Sequence, residues 1–123
     1  MLVTAINIFN HSSDVIEVDA GHALFREGEP GDTMFVVIEG AVEVTHNEQV
    51  IETIGAGGII GEFALIDTGP RSASATTVAP SRLACVGKRE FTFLVQEHPT
   101  FALQVMAVMA ERLRRANDRA PQA

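Results

Sequence analysis

GEFALIDTGPRSASA, residues 61–75, sets a lone cation among carboxylates and small side chains. Arg71 is the only Lys or Arg between Arg26 and Arg82, and Ser72, Ala73, Ser74 and Ala75 follow it. Upstream, Gly61 and Glu62 open the stretch after the glycine-rich GAGGII. GEFALI predicts a short helix with Glu62 early and Phe63, Ala64 and Leu65 in its first turn. The first N–H groups of a helix lack partners in the chain and favour an anion. Arg71 adds a planar fork that can grip two phosphate oxygens at once, and the small residues beyond it let a ligand approach the backbone. Glu62 would repel a phosphate but accepts an O–H strongly. A ligand that suits both carries a hydroxyl close to its phosphate, as a nucleotide does.

On either side the chain reads as short strands divided by turns. MFVVI (34–38) is a continuous apolar run suited to a strand buried on both faces, whereas AVEVT (41–45) alternates as a half-buried strand does. QVIETI (49–54) follows a polar HNE connection, which predicts a hairpin over 41–54. SATTVA (74–79) and RLACV (82–86) are rich in small and β-branched residues and are parted by Pro80-Ser81. In EPGD, Pro30 and then Gly31 predict a type II turn, a fixed φ followed by a positive one. Strands roughly every 8–12 residues, punctuated by glycine, predict a compact antiparallel all-β roll or barrel.

Beyond residue 87 the period changes. KREFTFLVQEH (88–98) predicts a short helix, and Pro99 suits the first turn of a longer one. Within 99–119, Ala102, Met106, Met109, Leu113 and Ala116 form a heptad seam. Two readings of it stand open: an apolar stripe laid on the protein's own β-core, or a seam for a second copy. Glu111 lies four residues before Arg115, within ion-pair reach; Pro121 is expected to end the helix.

Bulk properties narrow the function classes. At 123 residues the chain is read as one domain, 1–123, able to bury about two-thirds of its unfolded surface. With 46% hydrophobic and 20% charged residues it reads as a soluble globular protein. No apolar run approaches the ~20 residues of a membrane span, and MLVTAINIFNHSSD lacks the basic start of a signal peptide. A single cysteine, Cys85, rules out an internal disulfide and suits a reducing compartment, so a cytoplasmic protein is expected. Cys85 itself reads as a small hydrophobe within a strand. From Met1 to Gly61 there are ten acids and one arginine, a balance of −9 that repels nucleic acid. The cations of RLRRANDR are accounted for by a solvated helix face. His11, His22, His46 and His98 show neither H-x-H nor a carboxylate at ligand spacing, so no metal is expected. No activated nucleophile or second carboxylate cluster accompanies residues 61–75, so no catalysis is expected either.

The stretch IGEFALIDTGPRSASATT (60–77) resembles the phosphate-binding cassette of cyclic nucleotide-binding domains, the sensors of catabolite activator proteins, kinase regulatory subunits and cyclic nucleotide-gated channels. The family pattern of an apolar residue, Gly-Glu, any residue, a small and an apolar residue, a spacer, then Arg-(Ser/Thr/Ala)-Ala is met at every position. A second signature, a Gly-x-x-Gly turn followed by an apolar strand and another glycine, is met by GEPGDTMFVVIEG (28–40). The resemblance covers about 15–117. It implies a mainly β fold: an antiparallel β-roll (a double-stranded β-helix, jelly-roll-like) over about 15–87, a cassette at 60–75 with a short helix, and C-terminal helices over about 88–119.

The resemblance also implies roles. Glu62 would hold the ribose 2′-hydroxyl, and Gly61 would lie against the ribose. Arg71 would grip the exocyclic phosphate oxygens, helped by backbone amides near Ala64, Leu65 and Ser72. Phe63, Ser72 and Ala73 complete the ligand-binding set. Ser72 follows the arginine as in bacterial cAMP receptors, which implies adenosine 3′,5′-cyclic monophosphate (cAMP) over the guanosine form (cGMP), and no further cofactor. The helix over 99–119 is implied to be a lid or a dimerisation element, with Asn117 either at the base edge or on a solvated helix end. Catabolite activator-type regulators carry a winged helix-turn-helix after the long helix, whereas this chain stops at Ala123, and the helices that often precede the roll are expected to be absent or reduced to MLVTAINIF. The expectation is therefore a stand-alone sensor without nucleic acid or membrane, whose partner is a second copy or an unidentified effector protein. The alternative is a ligand-free β-roll that keeps the fold and uses its helix to bind protein.

Overall fold

Eight strands and two helices succeed one another in a computed structural model of the chain, which describes residues 14–67 and 69–119. The expectations placed on MLVTAINIF and Pro121 lie outside those residues. One antiparallel sheet has the order β1 (Val15–Val18), β8 (Ser81–Gly87), β3 (Thr33–Glu39) and β6 (Ile59–Ile60). The other has the order β2 (Ala23–Phe25), β7 (Ser74–Thr77), β4 (Ala41–His46) and β5 (Gln49–Gly55). Two helices follow, α1 (Lys88–Glu97) and α2 (Pro99–Arg119). This is the antiparallel β-roll with C-terminal helices.

The unbroken apolar run of β3 follows from its place. Met34, Val36 and Ile38 point to a core shared with the helices, while Phe35 and Val37 point to a core between the sheets. Alternate side chains of a strand face opposite ways, so a strand covered on both sides needs apolar residues throughout. β8 divides likewise: Ala84 and Val86 face the helices, Leu83 the other sheet. Cys85 is half-buried and packs on the inter-sheet core.

The hairpin over 41–54 is present as β4 and β5, turning through Asn47 and Glu48 at φ 51° and 65°. Two positive φ values give a turn whose twist matches the strands, and asparagine tolerates that region. At Pro80 the chain passes between sheets, since β7 pairs with β2 and β4 while β8 pairs with β1 and β3.

Two expectations are corrected. The type II turn at Pro30-Gly31 is absent: the positive φ falls on Gly28, at 88°, and Gly31 is glycine for another reason, given below. The stripe by which α2 meets the core is Phe101, Val105 and Val108, with Met109 packed beside them. In the stripe one residue further on, Met106 is left 54% and Leu113 55% exposed, and Leu113 and Ala116 border a cavity instead of the core.

Candidate ligand-binding site

After β6 the chain leaves the sheet through Gly61, whose φ of 76° bends it into a single 3₁₀ turn, Glu62–Leu65. A side chain at 61 would be strained there, and its Cβ would lie 2.6 Å from Arg71 Nη1 and 3.2 Å from the Phe25 ring. Leu65 points into the helix-side core and anchors the turn.

Arg71 is set by a short backbone pairing. Gly28 N–H donates to Arg71 O at 2.8 Å, and Arg71 N–H donates to Glu29 O at 2.8 Å. The two signatures noted in the sequence, 28–40 and 60–77, therefore meet in space. The guanidinium donates from Nη2 to Thr33 O at 2.8 Å and from Nη1 to Gly61 O at 3.4 Å. Its Cζ lies 4.1 Å from the centroid of the Phe25 ring. Gly31 offers bare backbone on this group, since a Cβ there would lie 2.6 Å from Arg71 Cζ. The Nε–H is buried and has no acceptor. Burial pulls the Arg71 pKa below its ordinary value, against the charges of Asp32, Glu29 and Glu62.

Glu62 is only 2% exposed, and its partner is Arg112 of α2, not Arg71. Arg112 Nη1 donates to Glu62 Oε1, Nε to Glu52 Oε1 at 3.2 Å, and Nη2 to Ile59 O at 2.7 Å. Arg115 reaches the same Glu52 oxygen at 3.3 Å and Glu111 at 3.9 Å, so the helical pair read from the sequence forms. Burial alone would lower the Arg112 pKa, but Glu62 and then Glu52 outweigh it, and the value is raised. The result is a bridge from cassette to sheet to helix.

These groups enclose a cavity of about 400 Å³. Gly61, Glu62, Phe63 and Ala64 line it from the turn, and Arg71, Ser72 and Ala73 from the strand side. Leu65, the eighth residue expected there, spends its side chain on the core and does not reach it. The Ala64 amide, expected to face phosphate, donates to Gly61 O at 3.2 Å. The Ser72 carbonyl lies 2.9 Å from His46 Nδ1, at the end of β4. Phe25, Val44, Ile51 and Ile54 form an apolar wall, and Arg112, Leu113, Arg115 and Ala116 close the cavity from α2. Asn117, expected at the base edge, is exposed and does not line it.

Arg112, Phe25 and Glu52 are among the lining residues that were not read as site residues from the sequence. Arg112 carried a signal: Phe101, Val105, Val108 and Arg112 are spaced four, three and four, so a cation continues the buried stripe. Phe25 and Glu52 carried none, because each looks like an ordinary strand residue.

The chain is thus a β-roll that closes a cavity with its C-terminal helix and lines it with an arginine and a buried glutamate. Residues 15–98 match the family described as cyclic nucleotide-binding domain, and the chain belongs to that family. It is 30% identical over 120 residues to a CRP-like cAMP-activated global transcriptional regulator of Mycobacterium tuberculosis, covering 94% of this chain and 54% of that protein. The solved Thermus thermophilus catabolite activator protein matches with a TM-score of 0.76 at 29% identity, over 92% of this chain and 54% of that one. A structure from work on a cyclic-GMP-dependent signalling pathway that regulates bacterial phytopathogenesis matches with a TM-score of 0.77 at 27% identity, over 94% and 95%. The chain thus spans about half the length of the regulator it matches. The family is a regulatory binding domain and not a catalytic one. Among the described residues no helix is long and apolar enough to cross a membrane.

Proposed function

We propose that this chain binds a 3′,5′-cyclic nucleotide, cAMP in preference to cGMP, in the cavity between the cassette and α2. The observation that carries the reading is the joint presence of Arg71 and Glu62 in the lining of a partly apolar cavity of about 400 Å³. Arg71 supplies the cation for the cyclic phosphate, and Glu62 the acceptor for the ribose hydroxyl. Phe63, Ala64, Ser72 and Ala73 shape the floor, and the apolar wall receives the base. α2 is the lid: Arg112 ties it to Glu62, so whatever alters Glu62 is felt by the helix. No cofactor or catalytic step is needed. The exposed Leu103 and Met106 give α2 an outer face for a second copy.

A second reading has its own observation. Arg71 and Glu62 are both already engaged by protein groups, as in a roll that has lost its ligand. Calorimetric titration with cAMP and with cGMP separates the two. Saturable binding with cAMP tighter supports the proposal; no binding of either favours the ligand-free interaction domain, and tighter cGMP reverses the preference.

A further inference from the structure

We infer that Phe25 is a positioning residue of this site: its ring holds the Arg71 guanidinium on the cavity wall without consuming a hydrogen-bond donor. The inference rests on the cyclic nucleotide reading above. An arginine that is to receive a phosphate must be kept in place before the anion arrives. A carboxylate could do this, but it would cancel the charge and occupy the donors that the phosphate needs. The face of an aromatic ring attracts a cation through its quadrupole and leaves every N–H free.

The geometry matches that requirement. Arg71 Cζ sits 4.1 Å from the Phe25 centroid, and Phe25 is itself backed by Phe35 of β3, with centroids 6.1 Å apart and planes 27° apart. Phe35 belongs to the inter-sheet core, so the platform is anchored in the roll. Backbone carbonyls of Thr33 and Gly61 take one N–H each, and glycine at 31 and 61 leaves room for the group to lie flat. Of the five N–H donors of a guanidinium, three remain, among them the buried Nε–H that has no acceptor. Asp32, Glu29 and Glu62 are the anions whose charge Arg71 feels.

The test compares Phe25→Leu, which fills space without an aromatic face, with Phe25→Tyr, which keeps one. In calorimetry, Phe25→Leu is expected to weaken cAMP binding about 5- to 30-fold, while Phe25→Tyr stays within about twofold of wild type. Adenosine, which has no phosphate, should bind wild type and Phe25→Leu equally. An equal loss for adenosine and cAMP would make Phe25 merely a wall residue and overturn the proposal. A ligand-free measurement keeps the two readings apart. In ¹H–¹⁵N spectra the Arg71 Nε–H resonance should be upfield-shifted by the ring and protected from solvent, and should lose both properties in Phe25→Leu. If that resonance is the same in both proteins, the proposal fails whether or not nucleotide binds. If wild type binds no cyclic nucleotide but the resonance behaves as expected, the positioning holds and only the ligand reading falls. Should Phe25→Leu not fold, Phe25→Met carries the same expectations.

Discussion

A guanidinium that waits for an anion has to be held by groups that do not neutralise it. Arg71 is held by two carbonyls, one ring and two glycines, and none of these carries charge. The arrangement predicts a strong dependence on this one side chain. Arg71→Leu should abolish cyclic nucleotide binding while the roll stays folded, because a charge-assisted contact of about 1.5–3 kcal/mol is lost. Calorimetry on the variant, with circular dichroism to show the fold, checks it; unchanged affinity removes the cassette assignment. Glu62→Gln should reduce affinity less, since its amide oxygen still accepts a hydroxyl. It should nevertheless lower the melting temperature, because a buried carboxylate facing Arg112 is replaced by a neutral group. Removing one partner of such a pair outright costs about 3–5 kcal/mol, and glutamine, which keeps a hydrogen bond, should cost less.

At the scale of the element, α2 is fastened at two points of different character. Phe101, Val105 and Val108 bury its first half in the helix-side core, and Arg112 joins its second half to Glu62, Glu52 and Ile59. The Glu111–Arg115 pair lies nearer the surface and contributes only about 0.3–0.5 kcal/mol. The two fastenings can be separated experimentally. Arg112→Leu should speed amide exchange in residues 109–119, where the bridge is lost, and leave 101–108 protected by the core. Equal exchange in both halves would show that the bridge does not hold the lid. In wild type, saturating cAMP should slow exchange over α2, since a ligand that contacts the closed helix favours that state by its difference in affinity. No change at saturation would make this a passive binder.

At the scale of the molecule, the two cores lie on either side of the β1-β8-β3-β6 sheet, one closed by the second sheet and one by the helices. The helix side contains a pH-sensitive contact. Glu90, in the first turn of α1, has its carboxyl pKa raised by burial, and further by the charge of Asp14 and a hydrogen bond with it. A carboxyl whose pKa is higher folded than unfolded binds more protons in the native state. Its contribution is therefore most favourable at low pH and is lost as pH rises from the ordinary glutamate range through the raised value. Glu90→Gln should flatten that fall and raise the melting temperature at pH 7, with the difference vanishing below about pH 4. Thermal melts across pH 4–8 check both the sign and the window.

Much of this was legible in the sequence. The apolar run of β3, the alternation of β4, the polar turn at 46–48 and Pro99 at the start of α2 are local signals, written within a few residues of the structure they cause. The residues of the cassette are local in the same sense, and seven of the eight expected residues do line the cavity. What only the tertiary structure decided are matters of long-range meeting and of phase. Glu62 finds Arg112 fifty residues away, and Gly31 is bare because the guanidinium of Arg71 lies against it. Two stripes of α2, one residue apart, are both apolar, and a one-residue step turns a helix by about 100°. The sequence of the helix alone could not choose between them. The roll chose, because the stripe that carries Phe101 also brings Arg112 to the buried carboxylate of Glu62.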